Sequence, residues 1–196
     1  MTRHDRAMDT ANTGQLAREF TIRRAEARDM AAAGRLGALL VRLHHGFDRA
    51  RFMAAGPGIE PGYASFLGSE LAASDVVLFV AETAPPGADH RMGAQDAGPP
   101  VIVGYVYAGL EPQSWKELRG PAGFIHDVVV EEHARGRGIA TALIERAARW
   151  LEDAGAPRVM LWTAEQNPVA QRLFQRLGFR RTMVEMTRER QTPGGG

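Results

Sequence analysis

The sequence predicts a protein of the α/β class (α+β) whose central sheet is mixed, mostly antiparallel and flanked by helices, with one parallel β-α-β crossover. Three observations predict it. Helix-like and strand-like patterns alternate along the chain. The apolar strand patterns at residues 76–82 and 101–108 have no helical pattern between them, as expected for antiparallel neighbours. Between residues 124 and 162 a strand, a turn, a helix and another strand follow one another, which is the order of a parallel crossover.

The first part of the chain supplies one strand and two helices. Residues 1–19 are polar, of mixed charge and without a sustained period, so we expect a flexible tail. Residues 20–24 alternate apolar and polar side chains as a short strand does. Residues 28–47 repeat apolar positions at helical spacing, and residues 63–73 carry a second helical pattern. Both helices therefore precede the hairpin strands.

The hairpin strands enclose a segment, residues 83–100, that is rich in Pro, Gly, Ala and Asp and predicts a long loop. Tyr105 and Tyr107 lie two positions apart in the second strand, so we expect both on one face of the sheet. Residues 111–123 predict another loop, which leads into the strand of the crossover.

The crossover begins with residues 124–130, which are rich in β-branched side chains. Apolar residues then recur at helical spacing over residues 139–154, and Gly155 predicts the end of that helix. Residues 158–162 are apolar on both alternating faces, which is typical of a strand covered on both sides.

The last helix begins at Asn167, a favourable N-cap, with Pro168 at the first helical position. Gly178, followed by an apolar residue, predicts a left-handed C-terminal cap. Residues 180–188 alternate and predict a last strand, and residues 190–196 are expected to be a flexible terminus.

The length of 196 residues favours a single domain, which we place at residues 20–189. With 24 Lys and Arg against 23 Asp and Glu the net charge is +1, so the composition indicates neither nucleic acid nor an anionic membrane as a partner. The absence of cysteine excludes a disulfide framework, a thiolate metal site and a cysteine nucleophile. No apolar run is long enough for a bilayer, and the first residues lack the apolar centre of a signal peptide, so we expect a cytoplasmic location.

The turn between the crossover strand and its helix is suited to an anion. Gly136 and Gly138 allow a sharp backbone turn and leave peptide N–H groups accessible at the start of a helix, where the macrodipole is positive. Arg135 and Arg137 add positive charge. A plain tight turn with two solvated arginines is the alternative. Neither the P-loop pattern nor the dinucleotide pattern fits, because no Lys follows Gly138 and no third Gly completes G-x-G-x-x-G.

The motif Arg135-x-x-Gly138-x-Ala140 resembles the acyl-CoA pyrophosphate loop of the GNAT superfamily of N-acetyltransferases. Residues 163–179, T-A-E-Q-N-P-V-A-Q-R-L-F-Q-R-L-G-F, resemble the second signature of that family. Two signatures in the right order and at the right separation are more specific than either alone. With the strands around them they cover residues 101–189, and the part before them matches the family only in the order of its elements.

The resemblance implies acetyl-CoA as a cosubstrate and no metal. The residues it places at the acyl-CoA belong to the strand before the loop, the loop itself and the last helix: Val128, Val129, Val130, Arg135, Gly136, Arg137, Gly138, Ile139, Ala140, Asn167 and Phe174. For Asn167 a purely structural N-cap is the alternative to a pantetheine contact.

The family commonly has a tyrosine beside the CoA sulfur as proton donor, and the matching residue here is Phe174. A phenyl ring has no proton to give, so the thiolate is protonated by water, or by another group such as Tyr105 or Tyr107, or transfer is slow. We expect Phe174 to be a packing residue whose ring lies beside the pantetheine end.

The catalytic candidates lie on the strand before the loop, where the sequence resembles family members with Glu-Asp, among them polyamine acetyltransferases. Here the pair is His126 and Asp127. Asp127 is the first candidate, as an amine-orienting carboxylate or base, and His126 the second. Successive strand residues face opposite ways, so only one of the two faces the acceptor unless a bulge intervenes. The alternative for Asp127 is a structural role, capping or pairing with a neighbouring helix.

In the family the N-terminal helices flank the acceptor site. The candidates for shaping it are His44, His45, Asp48, Arg49, Phe52 and Tyr63. A surface or packing role is the alternative for each. Adjacent histidines on a helix point about 100° apart and no third ligand is evident, so we expect no metal site there.

These features together predict an acetyl-CoA-dependent N-acetyltransferase that acts on an amine of a small molecule by direct attack on the thioester. The alternatives are a protein or peptide N-acetyltransferase and a non-catalytic acyl-CoA-binding module. Nucleic acid and membrane are not expected partners, and a homodimer is one assembly to consider. Residues 42–63 and 83–100 are expected to set the acceptor and carry no recognisable motif, so the acceptor itself is not predicted.

Overall fold

The computed structural model describes residues 20–85 and 98–190. In this part of the chain five strands form one sheet in the order β1-β2-β3-β4-β5. The strands are β1 Thr21–Arg24, β2 Val76–Thr83, β3 Val101–Glu111, β4 Ala122–Val130 and β5 Val159–Leu161. The helices are α1 Met30–Phe47, α2 Ile59–Glu70, α3 Ile139–Asp153 and α4 Pro168–Arg176, with single 3-10 turns at Ala27–Asp29 and Glu132–Ala134.

The pairing of the strands confirms the predicted fold class. β1, β2, β3 and β4 pair antiparallel in succession, and β4 pairs with β5 in parallel. The two predicted hairpin strands are therefore neighbours, and α3 forms the crossover. The expected tail at residues 1–19, residues 86–97 of the predicted loop and residues 191–196 lie outside the described residues.

The sheet separates two apolar layers. The layer that packs α3 and α4 on one face includes Val103, Val130, Ile139, Leu143 and Phe174. The layer that packs α1 and α2 on the other face includes Met30, Leu36, Leu67, Tyr105 and Val129. Burying apolar surface stabilises a fold by about 25 cal/mol per Å², so these layers hold the sheet in place between its helices.

The helix ends follow the signals in the sequence. The side chain of Asn167 accepts a hydrogen bond from the N–H of Ala170 at 3.1 Å and caps α4, and Pro168 is the first helical residue. At the other end Gly178 has a φ of 86°, and the N–H of Phe179 donates to the carbonyl of Phe174 at 3.0 Å. Both predicted caps of this helix are confirmed.

The predicted last strand is wrong. Residues 180–190 form no strand, and the side chains of Met183, Val184 and Met186 are exposed. An alternating sequence shows only which way side chains would point in a strand. A strand also needs a neighbouring strand for its backbone hydrogen bonds, and β5 at the edge of the sheet is only three residues long. This segment is held along the surface by ion pairs, such as the one between Arg51 and Glu185.

The expected burial of β5 on both faces is also wrong. Its three residues are half-buried, and Trp162, which follows it, is 71% exposed. β5 lies at the edge of the sheet, and in the described part of the chain its only pairing is with β4. An edge strand receives less cover than a central parallel one, which explains why the apolar pattern overstated its burial.

Candidate active site

β4 and β5 part from one another in the middle of β4. Their parallel pairing joins Gly123 to Val159, Phe124 to Met160 and Ile125 to Leu161. β4 then continues to Val130 while β5 ends at Leu161. The second half of β4 therefore has an edge that β5 does not cover.

The uncovered edge carries peptide N–H groups. The N–H of Glu131 donates to the carbonyl of Val103 on β3 at 2.8 Å. Because successive N–H groups of a strand point to alternate edges, those of Val128 and Val130 point away from β3, toward the gap. The side chain of Val130 is buried, so what this residue offers a ligand is its backbone, whereas the N–H of Val129 points toward β3.

The predicted anion loop lies directly after this edge. Gly136 and Gly138 have φ values of 78° and 80°, in the left-handed region that favours glycine. A Cβ built on either would meet no heavy atom within 4 Å, so the space beside both residues is open. Gly138 is the N-cap of α3, and the first N–H groups of a helix have no intrahelical partner.

The other loop residues divide into backbone and side-chain candidates. The Arg135 Nε donates to the carbonyl of Val130 at 3.2 Å, which ties the loop to the end of β4. Arg137 is half-buried. Ile139 is buried in the layer under α3 and Ala140 packs against that layer, so these two residues can offer a ligand their N–H groups at the helix start rather than their side chains.

Asn167 and Phe174 are placed by α4. Asn167 caps the helix through its side-chain oxygen, as described above. Phe174 is 6% exposed within the apolar layer, and its ring centroid lies 6.1 Å from that of Phe179. Phe174 therefore packs inside the protein, and its place beside the pantetheine end stays a prediction.

A bulge in β4 places both catalytic candidates on one face of the sheet. Tyr107 pairs with Asp127 and Ala108 pairs with Ile125, so His126 is the extra residue of a two-against-one pairing. Asp127 contacts Tyr105 on the α1 and α2 face, and His126 stacks on Tyr107 on that same face. The bulge that the sequence left open is therefore present, and it brings both side chains to one face of the sheet.

Asp127 is held by two tyrosines. Tyr63 of α2 donates its hydroxyl to Asp127 Oδ2 at 2.5 Å, and Tyr105 of β3 donates to the same oxygen at 3.0 Å. Burial raises the pKa of the Asp127 carboxyl above its usual value, while the two hydroxyls act in the opposite direction. Burial beside this carboxylate also raises the pKa of both tyrosines. The hydroxyls therefore stay protonated and donate to Asp127.

His126 lies between two rings. Its ring stacks on Tyr107 at 4.8 Å and on Phe124 at 5.3 Å, with interplanar angles of 28° and 22°. Its Nε2 lies 3.5 Å from Glu111 Oε1, and 28% of its side chain remains exposed. Burial lowers the pKa of His126, against the opposing effect of Glu111, so the imidazole is neutral at pH 7.

Two carboxylates of this site were not singled out from the sequence. Glu70 Oε2 accepts from the Tyr107 hydroxyl at 2.7 Å, and Glu111 lies at His126. A signal for Glu70 was available, because Tyr63, Phe66 and Glu70 are spaced three and four apart and share one face of α2. Glu111 carried no such signal, because it becomes a neighbour of His126 only through the register of β3 and β4.

The remaining acceptor candidates lie at the end of α1 and in the loop after it. His44 Nδ1 lies 2.9 Å from the carbonyl of Leu40, and the ring of His44 is 5.0 Å from that of Phe52. His45 Nδ1 lies 3.0 Å from the carbonyl of Phe52. These contacts favour a packing role for His44, His45 and Phe52.

The two polar candidates of that loop are separate from Asp127. Asp48 Oδ1 accepts from the N–H groups of Ala50 and Arg51, which is a local turn, and Arg49 is exposed. Of the candidates from this region, Tyr63 is the one that contacts Asp127 directly.

Among residues 20–85 and 98–190 there is no group of three or more potential metal ligands, and no helix is long and apolar enough to cross a membrane.

The sequence matches a known protein family over the region that contains this site. A model of the acetyltransferase (GNAT) family matches residues 71–179, more than half of the chain. The chain belongs to this family. The matched range includes β4, the glycine loop, α3 and α4. Membership confirms the resemblance carried by the two signatures.

The relatives found by sequence similarity are matched over only part of their own length. A mycothiol acetyltransferase of Parafrankia sp. (strain EAN1pec) is 40% identical over 75 residues, which cover 38% of this chain and 23% of that protein. An N-acetyltransferase of Methanocaldococcus jannaschii, named as uncharacterized, is 42% identical over 55 residues, which cover 28% of this chain and 24% of that protein. The chain thus spans about a quarter of the length of these relatives.

Two solved structures share the fold of this chain. The BH1408 protein of Bacillus halodurans, in a tetramutant form, has a TM-score of 0.67 at 19% identity and covers 86% of this chain and 99% of its own. The aminoglycoside N-acetyltransferase AAC(6')-Iy, in complex with CoA, has a TM-score of 0.61 at 18% identity and covers 88% of this chain and 95% of its own. At these identities the likeness shows the fold alone.

Close packing of α1 against α2 sets the position of Tyr63, and this leads to a prediction. A Cβ on Gly37 would lie 2.1 Å from Tyr63 Cδ1, so Gly37→Ala must displace the ring. We expect a loss of about 1–3 kcal/mol in the free energy of unfolding, the usual range for overpacking, and weaker bonding of Tyr63 to Asp127. Urea unfolding measures the first effect.

Gly46→Ala is the matched control for Gly37→Ala. Gly46 lies on the same helix, and a Cβ there would meet nothing within 4 Å. Because alanine favours a helix over glycine, this variant should be as stable as the wild type or more stable, by up to about 1 kcal/mol. Equal stability of Gly37→Ala and Gly46→Ala would contradict the close packing.

Proposed function

We propose that the protein transfers an acetyl group from acetyl-CoA to the amine of a small molecule. The observation that carries this proposal is the position of the β4 bulge, which brings His126 and Asp127 to one face at the point where β4 and β5 part. The open N–H edge of β4 and the glycine loop lie beside the same gap. A thioester held along this edge would lie close to a base and a carboxylate.

The residues of the gap fit the groups of acyl-CoA. The loop at Gly136 and Gly138 offers open space and the N-terminus of α3, which suit the pyrophosphate. The N–H groups of Val128 and Val130 suit the amide and thioester carbonyls, as donors that polarise a carbonyl do. Acetyl-CoA supplies the activated acetyl group, and the protein supplies donors, positive potential and orientation.

Asp127 and His126 divide the work on the amine. Alkyl amines are mostly protonated at neutral pH, so the acceptor arrives as a cation. A half-buried carboxylate fixed by two tyrosines is suited to hold that cation. His126, which is neutral and partly exposed, is suited to take one proton from the ammonium group, because only the neutral amine has a lone pair for the attack. The new C–N bond then forms, the C–S bond breaks, and the second proton that nitrogen loses passes through water to the leaving thiolate.

We favour water as the group that delivers a proton to the thiolate, because the tyrosine hydroxyls of the site already donate to carboxylates. Tyr105 is fully buried and donates to Asp127, and Tyr107 donates to Glu70. Phe174 has no hydroxyl. The names of two relatives support a small acceptor, because they specify mycothiol and aminoglycosides.

The experiment that tests the activity is release of the CoA thiol from acetyl-CoA in the presence of a broad amine library, with product masses recorded. We expect at least one small amine to raise thiol release and gain one acetyl group. If acetylation were confined to peptides with free amines, a protein or peptide N-acetyltransferase would replace the proposal. Tight CoA binding with no acetylated amine or peptide would make the protein a non-catalytic acyl-CoA-binding module.

The role of His126 has a distinct pH signature. Because burial lowers its pKa, wild-type transfer should fall only at pH values below the usual histidine range, where the imidazole gains a proton. His126→Gln should lower kcat at neutral pH by about 10²-fold with little change in KM for the amine, and this acidic limb should disappear. A full pH profile of kcat for both proteins is the measurement. An unchanged acidic limb in His126→Gln would assign the base to another group.

A further inference from the structure

The loop between β3 and β4 holds a cation close to His126. The backbones of Ser114 and Arg119 pair with each other at 3.0 and 3.1 Å, which closes the loop. The Arg119 guanidinium donates to the carbonyl of Pro112 at 2.9 Å, and only 9% of its side chain is exposed. The guanidinium is therefore fixed in place and can position another side chain.

Glu111 joins this cation to the imidazole through its two carboxylate oxygens. Oε2 pairs with Arg119, while Oε1 lies 3.5 Å from Nε2 of His126. That distance is long for a hydrogen bond, but contacts between catalytic groups are often long in a ligand-free enzyme and shorten in the complex with substrate. Because Arg119 holds Oε2, Oε1 stays directed at the imidazole.

The two ring nitrogens of His126 have different surroundings. Nε2 faces Glu111, whereas Nδ1 has no hydrogen-bond partner in the part of the chain that the structure describes. The side chain is 28% exposed, so an acceptor can approach the ring. A carboxylate beside one ring nitrogen favours the tautomer with the proton on that nitrogen and leaves the lone pair on the other. Nδ1 is therefore the nitrogen available to take a proton.

The titratable and charged groups around His126 come from β3, β4, α2 and the loop after β3. They are Tyr107, Glu111, Asp127, Glu70 and Arg119. Burial lowers the pKa of His126, and Glu111 is the strongest of the carboxylates that oppose this effect. Arg119 is paired with two carboxylates, which balance its charge. Glu111 is therefore the charged group whose removal should change the titration of His126 most.

We infer that Glu111 is a positioning residue for His126: held by Arg119, it keeps the proton of the neutral imidazole on Nε2 and leaves Nδ1 as the base. This inference rests on the proposed acetyl transfer and adds a residue that supports the base. When Nδ1 takes one proton from the ammonium group of the acceptor, the ring becomes a cation, which Glu111 stabilises. After the acetylated product leaves, Nδ1 gives that proton to water and the base is restored.

The tautomer of His126 can be measured in the wild-type protein by NMR. The chemical shifts of the two ring nitrogens show which one carries the proton when the ring is neutral, and His126→Gln identifies the signals. We expect the proton on Nε2, and a proton mainly on Nδ1 would overturn the inference. The measurement needs neither acetyl-CoA nor an acceptor, so its outcome is distinct from a failure of acetyl transfer in the amine library.

Glu111→Gln removes the charge but keeps an oxygen that can accept from Nε2. Because Glu111 raises the pKa of His126, that pKa should be lower in the variant, and the acidic limb of the kcat profile should move to lower pH. We expect kcat at neutral pH to fall by about threefold to tenfold, because the imidazole is then a weaker base, with little change in KM for the amine. NMR titration of His126 and the pH profile of kcat are the measurements.

Glu117→Gln is the matched control for Glu111→Gln. Glu117 pairs with the same guanidinium, and its side chain is 34% exposed against 32% for Glu111. In the described residues it makes no contact with His126, so this variant should keep the wild-type titration of His126 and the wild-type pH profile. An unchanged pKa of His126 in Glu111→Gln, or the same shift in Glu117→Gln, would overturn the role of Glu111 and leave acetyl transfer intact.

Discussion

Gly138→Asp should abolish CoA binding while the protein stays folded. The new side chain enters the open space beside Gly138 and brings a carboxylate to the N-terminus of α3, where it occupies the N–H groups and repels phosphate. Charge-assisted hydrogen bonds contribute about 1.5–3 kcal/mol each, so the loss of more than one should weaken CoA at least about 100-fold. Isothermal titration with CoA is the measurement.

Gly155→Asp separates this effect from backbone strain. Gly155 ends α3 with a φ of 90°, and a Cβ there also meets nothing within 4 Å. A left-handed Asp costs about 1 kcal/mol in either position, so both variants should lose similar stability, and only Gly138→Asp should lose CoA. Micromolar CoA binding by Gly138→Asp, or equal weakening in Gly155→Asp, would contradict a pyrophosphate site in this loop.

The parts of the fold that depend on local signals could be predicted from the sequence. The glycine loop, the Asn167 cap and the Gly178 cap each need a particular residue at a particular backbone position, and the structure has them there. The predicted strand at residues 180–188 failed because pairing depends on a partner elsewhere in the chain. A side-chain pattern alone carries no information about that partner.

The arrangement of the candidate site depended on the same kind of distant contact. Strand alternation placed His126 and Asp127 on opposite faces, and only the pairing with β3 reveals the bulge that brings them together. In the sequence Gly37 is one residue of a helical pattern. In the structure the absence of its side chain lets Tyr63 approach α1 and contact Asp127. The residue types of the site could thus be identified from the sequence. Their proximity in space depends on the register of the strands and the packing of the helices, which the sequence pattern does not show.

Asp127→Asn is expected to lower acetyl transfer by roughly 10²-fold at neutral pH, with CoA affinity nearly unchanged. Asparagine keeps the shape and an acceptor oxygen for Tyr63 and Tyr105 but removes the negative charge that holds the ammonium group. KM for the amine should therefore rise. The loss should shrink as pH rises, because more of the amine then arrives neutral and needs no counter-charge.

Stability should move in the opposite direction from activity in this variant. Burial raises the pKa of Asp127 in the folded protein, so its contribution to stability is full at low pH and is lost as pH rises through that folded pKa. Asparagine has no such loss, and the melting temperature of Asp127→Asn at neutral pH should equal or exceed that of the wild type. Melting temperatures and pH profiles of transfer on the best acceptor are the measurements. An equal fall in transfer at every pH, together with a lower melting temperature, would show that Asp127 is structural, and the ammonium group would then have to be held by the carboxylates of Glu70 and Glu111.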